Sequence, residues 1–215
     1  MGSTMRSSPA ALVLGGTRGA GAALARALAA RGHAVAIHCH ASLREARDLA
    51  EELTAAGTPA LAVTANLREE GASRTLVHRV ADTFGRIDVV AACARLRRPG
   101  RLEELASLEL TAHHEVNVVG TFVVAQEAAA VMFRQATGGV IAALADGGVP
   151  GPDDLPYAAS QAAIPALMRS FDAACAARNP RVRAACLLVP SPPPPPADLA
   201  GLLIARIDEL RAVAP

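Results

Sequence analysis

A glycine-rich run, Leu14-Gly15-Gly16-Thr17-Arg18-Gly19-Ala20-Gly21, follows directly on the apolar segment Ala10–Leu14. In a strand-to-helix turn, glycines let backbone N–H groups approach a pyrophosphate at the positive end of a helix, because a Cβ would block that approach. Gly15, Thr17, Arg18, Gly19 and Gly21 are therefore candidate cofactor-binding residues; the plain alternative is a tight turn with no ligand. A second feature lies at the end of the next apolar run, which reads His38-Cys39-His40-Ala41-Ser42 and then Arg44. An NAD site usually carries an acidic side chain there to bind the adenosine ribose. No carboxylate is present to repel a 2′-phosphate, and Arg18, Ser42 and Arg44 can bind one, so the sequence favours NADP(H) over NAD. For Arg44 the alternative is solvated charge at a helix end. His113-His114-Glu115 is too compact for a standard zinc site and lacks a third-ligand motif, so no metal is expected. Cys39, Cys93, Cys175 and Cys186 show no CxxC spacing and read as reduced, mostly buried thiols.

The elements that must hold these residues follow from the alternation of short apolar runs with helical patterns. Strands are expected at Ala10–Leu14, His33–His38, Leu61–Thr64, Asp88–Cys93, Gly139–Leu144 and Val182–Val189. Helices are expected at Gly19–Arg31, Leu43–Ala56, Glu70–Phe84, Tyr157–Arg178 and Asp198–Ala212, with one long helical pattern over Glu103–Arg134. Ser42 and Glu45 have the spacing of a capping box for the second helix. A Gly/Pro/Asp loop is expected over Asp146–Pro156, and Ser191–Pro196 as extended polyproline. Continuous apolar strands alternating with helices imply a parallel sheet covered on both faces. The expected fold class is α/β, a Rossmann-type doubly wound sheet in a single domain. Residues 1–9 read as a disordered tail, 10–190 as the Rossmann domain, and 191–215 as its Pro-rich segment and closing helix.

Composition sets limits on function. The chain has 215 residues, 52% hydrophobic and 19% charged, with a net charge of +1. That excludes the strongly basic footprint of a general nucleic-acid binder. Aromatics are 2% with no Trp, so no stacking platform for single strands is present. The longest apolar candidate for a membrane span, Val116 to Phe133, is interrupted by Asn117, Gln126 and Glu127, so no span is expected. The N-terminus lacks the apolar stretch of a signal peptide, and a cytoplasmic location is the expectation. All 21 basic residues are Arg; the chain contains no Lys, so any mechanism that needs a lysine is closed to it.

At this point the sequence resembles the short-chain dehydrogenase/reductase family. The spacing Gly15-x-x-x-Gly19-x-Gly21 matches that family's cofactor turn, Asn117 in Glu115-Val116-Asn117-Val118 matches its helix-four asparagine, and Tyr157-Ala158-Ala159-Ser160-Gln161 matches its Tyr-x-x-x-Lys. The histidine-rich stretch His38–Ser42 and the segment Ala145-Asp146-Gly147-Gly148 resemble the pteridine-reductase-like branch, which carries an aspartate where most relatives have the catalytic serine. The departures are several. Gln161 stands for the lysine, Ala92-Cys93-Ala94-Arg95 for Asn-Asn-Ala-Gly, Leu14 for a threonine, Asn66 for the acidic residue after strand three and Pro190-Ser191 for Pro-Gly. The chain also reads as shortened at the C-terminus, where most members add a helix and a final strand.

The resemblance implies a small-molecule substrate, an NADP(H) cofactor and a homodimer or homotetramer. It assigns catalysis to Tyr157, Asp146, Asn117 and Gln161, with cofactor contacts at Gly15, Thr17, Arg18, Gly19, Gly21, His38, Ser42, Asn66, Ala94 and Arg95. In the family the lysine holds the nicotinamide ribose and lowers the tyrosine pKa. Gln161 is neutral, and an ionised Asp146 would push the phenol pKa up. Tyr157 is therefore expected to stay protonated at neutral pH, donating a proton during reduction but serving poorly as a base. Arg95 has three readings: it replaces the missing positive charge, binds an anionic substrate, or obstructs the nicotinamide position. Arg97, Arg98 and Arg101 read as a basic surface loop. The leading expectation is an atypical reductase of a small carbonyl, imine or pterin-like ring. The alternatives are a non-redox cyclase, isomerase or dehydratase using the Asp146/Tyr157 pair, and an inactive binding or scaffolding protein.

Overall fold

A computed structural model describes residues 8–148 and 151–213. Six strands, β1 (Ala10–Leu14), β2 (Ala34–Cys39), β3 (Ala60–Thr64), β4 (Val89–Ala92), β5 (Gly139–Asp146) and β6 (Val182–Val189), form one sheet in the order β3-β2-β1-β4-β5-β6. Every pairing is parallel. Seven helices connect them: α1 (Gly19–Ala30), α2 (Leu43–Ala55), α3 (Glu70–Phe84), α4 (Ser107–His114), α5 (Thr121–Met132), α6 (Leu155–Arg178) and α7 (Pro196–Val213). Strands β1, β2 and β4 are buried along their whole length, which is why they read as unbroken apolar runs.

The two-residue period of a strand divides the core. Leu12 and Leu14 face one side, with Phe84, Met132 and Met168 of α3, α5 and α6. Val13 and Ile37 face the other, with Leu24 and Leu28 of α1 and Leu203 and Ile207 of α7. The strand order reverses between β1 and β4, so a crevice opens at their carboxyl ends. The doubly wound single domain is thus present, and most expected boundaries agree within two residues.

Three local expectations are corrected. The helical pattern over Glu103–Arg134 starts later than expected and is not uniformly α: a separate 3-10 turn covers Leu102–Glu104, and the helical run Ser107–Met132 carries a π-helical turn at Glu115–Gly120 between α4 and α5. Gly120 permits the π turn to approach the β3–α3 loop, since a Cβ there would lie 2.8 Å from Leu67. The capping box does not form; Ser42 makes no side-chain cap bond, and its hydroxyl instead accepts from Arg18 Nη2 at 3.2 Å. Pro196 belongs to α7, where its missing N–H costs nothing in a first turn. The 26-residue run Ser107–Met132 is long and apolar enough to cross a membrane by composition, yet over half of its apolar window is buried in the protein. The expected tail over residues 1–9 lies, for residues 1–7, outside the described residues.

Candidate active site

The crevice between β1 and β4 is floored by two loops in contact. Gly15 has φ +68°, and a Cβ on it would lie 2.7 Å from Ala94 Cα, so only glycine fits where the two loops meet. Gly21, in the first turn of α1, sits directly under the Gly15 carbonyl oxygen, with no room for a side chain. His38 shapes this turn from beneath. It is 1% exposed; its Nδ1 accepts the Gly15 N–H at 3.3 Å and its Nε2–H donates to the Ala65 carbonyl at 3.2 Å, which fixes the tautomer. Burial lowers its pKa to about 4. The expected cofactor-binding histidine is thus mainly a support for the turn. The Gly16 N–H is also used internally, donating to the His38 carbonyl.

What remains for a ligand is the start of α1, which carries no side-chain cap. Gly19 has φ +54° and open space where a Cβ would point. A cavity of about 420 Å³ lies there, lined by Gly15, Thr17, Arg18, Ser42, Asn66 and Arg95 among others, with no carboxylate in its wall. These features fit a dinucleotide phosphate: unpaired first-turn amides, the positive helix end and a guanidinium. Arg44 is not part of it; the side chain is 92% exposed and lies 4.0 Å from Asp48. Asn66 is engaged in its own turn, donating to Glu69 and accepting from the Arg68 N–H.

A second cavity of about 690 Å³ opens beyond the ends of β5 and β6. Its wall includes Tyr157, Asp146, Gln161, Arg97 and Ser191, and Arg95 borders both cavities. Tyr157 projects from the first turns of α6, and its hydroxyl donates to Asp146 Oδ2 at 2.6 Å. Arg95 Nη1 donates to Asp146 Oδ1 at 2.9 Å and lies 3.5 Å from the phenol oxygen. The Tyr157 pKa is pushed up to about 12, chiefly by burial and next by the hydrogen bond to Asp146, while Arg95 pulls in the opposite direction. A phenol in this setting is protonated across the physiological range.

Gln161, read from the sequence as standing for the resembled family's lysine, has a structural task. It is 4% exposed, and its Oε1 accepts the Asp146 N–H at 3.1 Å, holding the end of β5 against α6. Asn117, unlike Gln161, lines neither cavity. Its amide clamps the backbone of Leu96, accepting from the N–H at 2.6 Å and donating to the carbonyl at 3.0 Å, and donates to Ser160 at 2.8 Å. Both are positioning residues: Asn117 fixes the loop that carries Arg95, and Gln161 fixes the strand end that carries Asp146.

Three participants escape the sequence reading. Arg97, expected on a basic surface loop, pairs with both oxygens of Asp154 at 2.9 and 2.7 Å and stands 5.2 Å above the Tyr157 ring. His113 is fully buried, and its Nε2 accepts the Arg98 N–H at 3.1 Å, a second pin for the same loop. Asp154, 57 residues from Arg97, carried no local signal. The one available hint was the clustering of four arginines just after a strand. Among the described residues no group of three His, Cys, Asp or Glu side chains is arranged to hold a metal. The thiols are poor nucleophiles, since burial raises Cys93 to about 12 and Cys175 and Cys186 to about 11.

Comparison with known proteins agrees with this geometry. The 3-oxoacyl-acyl-carrier-protein reductase FabG of Staphylococcus aureus is 30% identical over 181 residues, covering 84% of this chain and 74% of that protein. Versicolorin reductase 1 of Dothistroma septosporum is 35% identical over 118 residues, 55% of this chain and 45% of that protein. A Burkholderia cenocepacia short chain dehydrogenase solved with NADP superposes with a TM-score of 0.82 at 27% identity, over 96% of this chain and 93% of that one. A metagenomic short-chain oxidoreductase, also solved with NADP, gives 0.87 at 25% identity, over 98% and 95%. The family profile described as short chain dehydrogenase matches residues 9–190. With the switch-point crevice, the uncapped α1 and Tyr157 in place, the chain belongs to the short chain dehydrogenase family.

Proposed function

We propose that this protein is an NADPH-dependent reductase of a small carbonyl, imine or pterin-like compound, with Tyr157 as proton donor. The observation that carries the reading is the Tyr157 hydroxyl, held by Asp146 at 2.6 Å in the wall of the 690 Å³ cavity, where burial keeps the phenol pKa raised. The phosphates of NADP would be held by the α1 amides, Arg18 and Ser42, whose hydroxyl and guanidinium already meet at 3.2 Å where a 2′-phosphate would bind. When bound, the cofactor supplies a hydride; the chain's own residues supply orientation and the proton.

The acid strength of Tyr157 suits proton donation. A Tyr157 near 12 remains a stronger acid than water, whose pKa is about 15.7, so proton delivery to an oxygen gaining alkoxide character is downhill. The reverse step, alcohol oxidation, needs a phenolate that is scarce at pH 7. Asp146 and the His38–Ser42 stretch support a place beside the pteridine-reductase-like branch. A homodimer or homotetramer joined over the β6 edge belongs to the same proposal; β6 has one neighbour in the sheet and carries the half-exposed Leu188.

A second reading, non-redox acid–base chemistry by the Asp146/Tyr157 pair, is favoured by one observation: Arg95 stands between the two cavities, where a nicotinamide would have to pass. Calorimetric titration with NADPH separates the two. Binding, together with a loss of about 100-fold or more in carbonyl reduction for Tyr157→Phe, is expected. No binding at millimolar cofactor overturns the reductase reading in favour of the second.

A further inference from the structure

The active site has lost its lysine but not its cation. Gln161, at the vacated position, is neutral, and its carbonyl oxygen is already used by the Asp146 N–H. The charged groups around Tyr157 are few. From the β4–α4 loop come Arg95, at 3.5 Å from the phenol oxygen, and Arg97, above the ring. From the end of β5 comes Asp146, and from the start of α6 comes Asp154. Val189 at the end of β6, and Pro190, Ser191 and Pro193 after it, line the cavity without adding charge. Arg97 is committed to Asp154 through Nε and Nη2. Among the described residues, Arg95 alone brings a guanidinium N–H towards the phenol oxygen itself.

We propose that Arg95 is the catalytic cation of this site, supplying from the β4–α4 loop the positive charge that Tyr157 needs as it gives up its proton. The inference rests on Tyr157 being the proton donor. In the step, the Tyr157 O–H bond breaks and the substrate O–H bond forms, while the hydride and its two electrons come from NADPH. The phenolate left behind would face the Asp146 carboxylate at hydrogen-bond distance, two like charges in a half-buried site. Arg95, touching both oxygens, balances one of those charges until water returns the proton. The loop is built to keep it there: Asn117 grips Leu96 on one side of the sequence, and His113 and the Gly100–Asp153 backbone bond hold the chain beyond.

The composition provides a direct assay. Tyr157 is the only Tyr and the chain has no Trp, so near-ultraviolet phenolate absorbance reports this one residue, without substrate or cofactor. In the parent protein the titration is expected near 12. Asp146→Ala removes a group that raises the phenol and should bring the midpoint down by about one pH unit or more. Adding Arg95→Gln to Asp146→Ala should raise it again by about one unit, and Arg95→Lys in the same background should leave it low. An Asp146→Ala midpoint that Arg95→Gln does not move overturns the proposal, whatever NADPH does. Because the readout needs neither cofactor nor turnover, failure of the reductase reading would appear separately, as absent NADPH binding. Should the double variant not fold, Arg95→Lys and Arg95→Gln singly decide it: reduction rates kept by Lys and cut about 100-fold by Gln are expected, and equal rates overturn it.

Discussion

His38 shows how one buried ring can set the pH limit of a binding turn. Its two ring nitrogens are spent on Gly15 N–H and the Ala65 carbonyl, and protonation would destroy the first of these bonds. The unfolded chain takes up this proton near 6.5, the folded chain only near 4. Between those values the unfolded state binds more protons, so stability falls as pH drops; above 6.5 the group contributes nothing to the slope. The full difference amounts to about 3 kcal/mol. A His38→Gln variant, whose amide can keep both bonds, should lose much less stability between pH 6.5 and 4 in urea unfolding; parallel pH profiles for the two proteins would contradict this. At this scale the sequence was informative where a residue type is scarce. Tyr157 stood out because it has no competitor in the chain. Arg97 and Asp154 did not, because a pair 57 residues apart leaves no periodic trace.

The β4–α4 loop is the element on which the site depends. Its odd-numbered Arg95 and Arg97 reach the wall of the larger cavity, while Leu96 and Arg98 are fixed through their backbones by Asn117 and His113. Asn117→Ala removes three hydrogen bonds and leaves the Leu96 amide without its partner, at a cost of about 2–3 kcal/mol. That cost should appear in the urea midpoint, together with a fall in turnover as Arg95 loses its placement. Unchanged stability would mean the clamp is not formed in solution. Hydrophobic spacing read this region as one uniform helix because a π turn inserts a single extra residue, a shift too small for periodicity to register. What permits it is a contact far away in sequence, the approach of Gly120 to Leu67.

Across the whole molecule, α7 closes the face of the sheet that α1 and α2 begin to cover. Leu203 and Ile207 are essentially inaccessible and join the cluster built on Val13, Ile37 and Leu28. Leu203→Ala should therefore cost about 2–5 kcal/mol, a large share of a typical domain's stability. A shift in denaturant midpoint of less than 1 kcal/mol would place α7 outside the cooperative fold. Arg31 and Asp208 add a surface ion pair at 2.6 Å between α1 and α7, roughly half-exposed and so worth little by itself. The same closure helps frame the active site, because Leu199 of α7 forms part of the wall of the larger cavity.

Strand and helix alternation, the glycine turn and the parallel sheet were legible in the sequence because each is written in residues close together along the chain. Burial on both faces gives unbroken apolar strands, and a backbone that must approach a neighbour gives glycine. The absence of lysine was equally plain, and it located the weak point of the expected chemistry at Gln161. Which side chains meet around Tyr157 was decided only by the tertiary structure. Arg95 and Asp146 lie 51 residues apart, and Arg95 and Tyr157 lie 62 apart; the pairing of β4 with β5 brings the loop after β4 beside the end of β5 and the start of α6. A loop across the crevice can place a cation beside a helix residue, because electrostatic interaction depends on distance in space and not on separation along the chain.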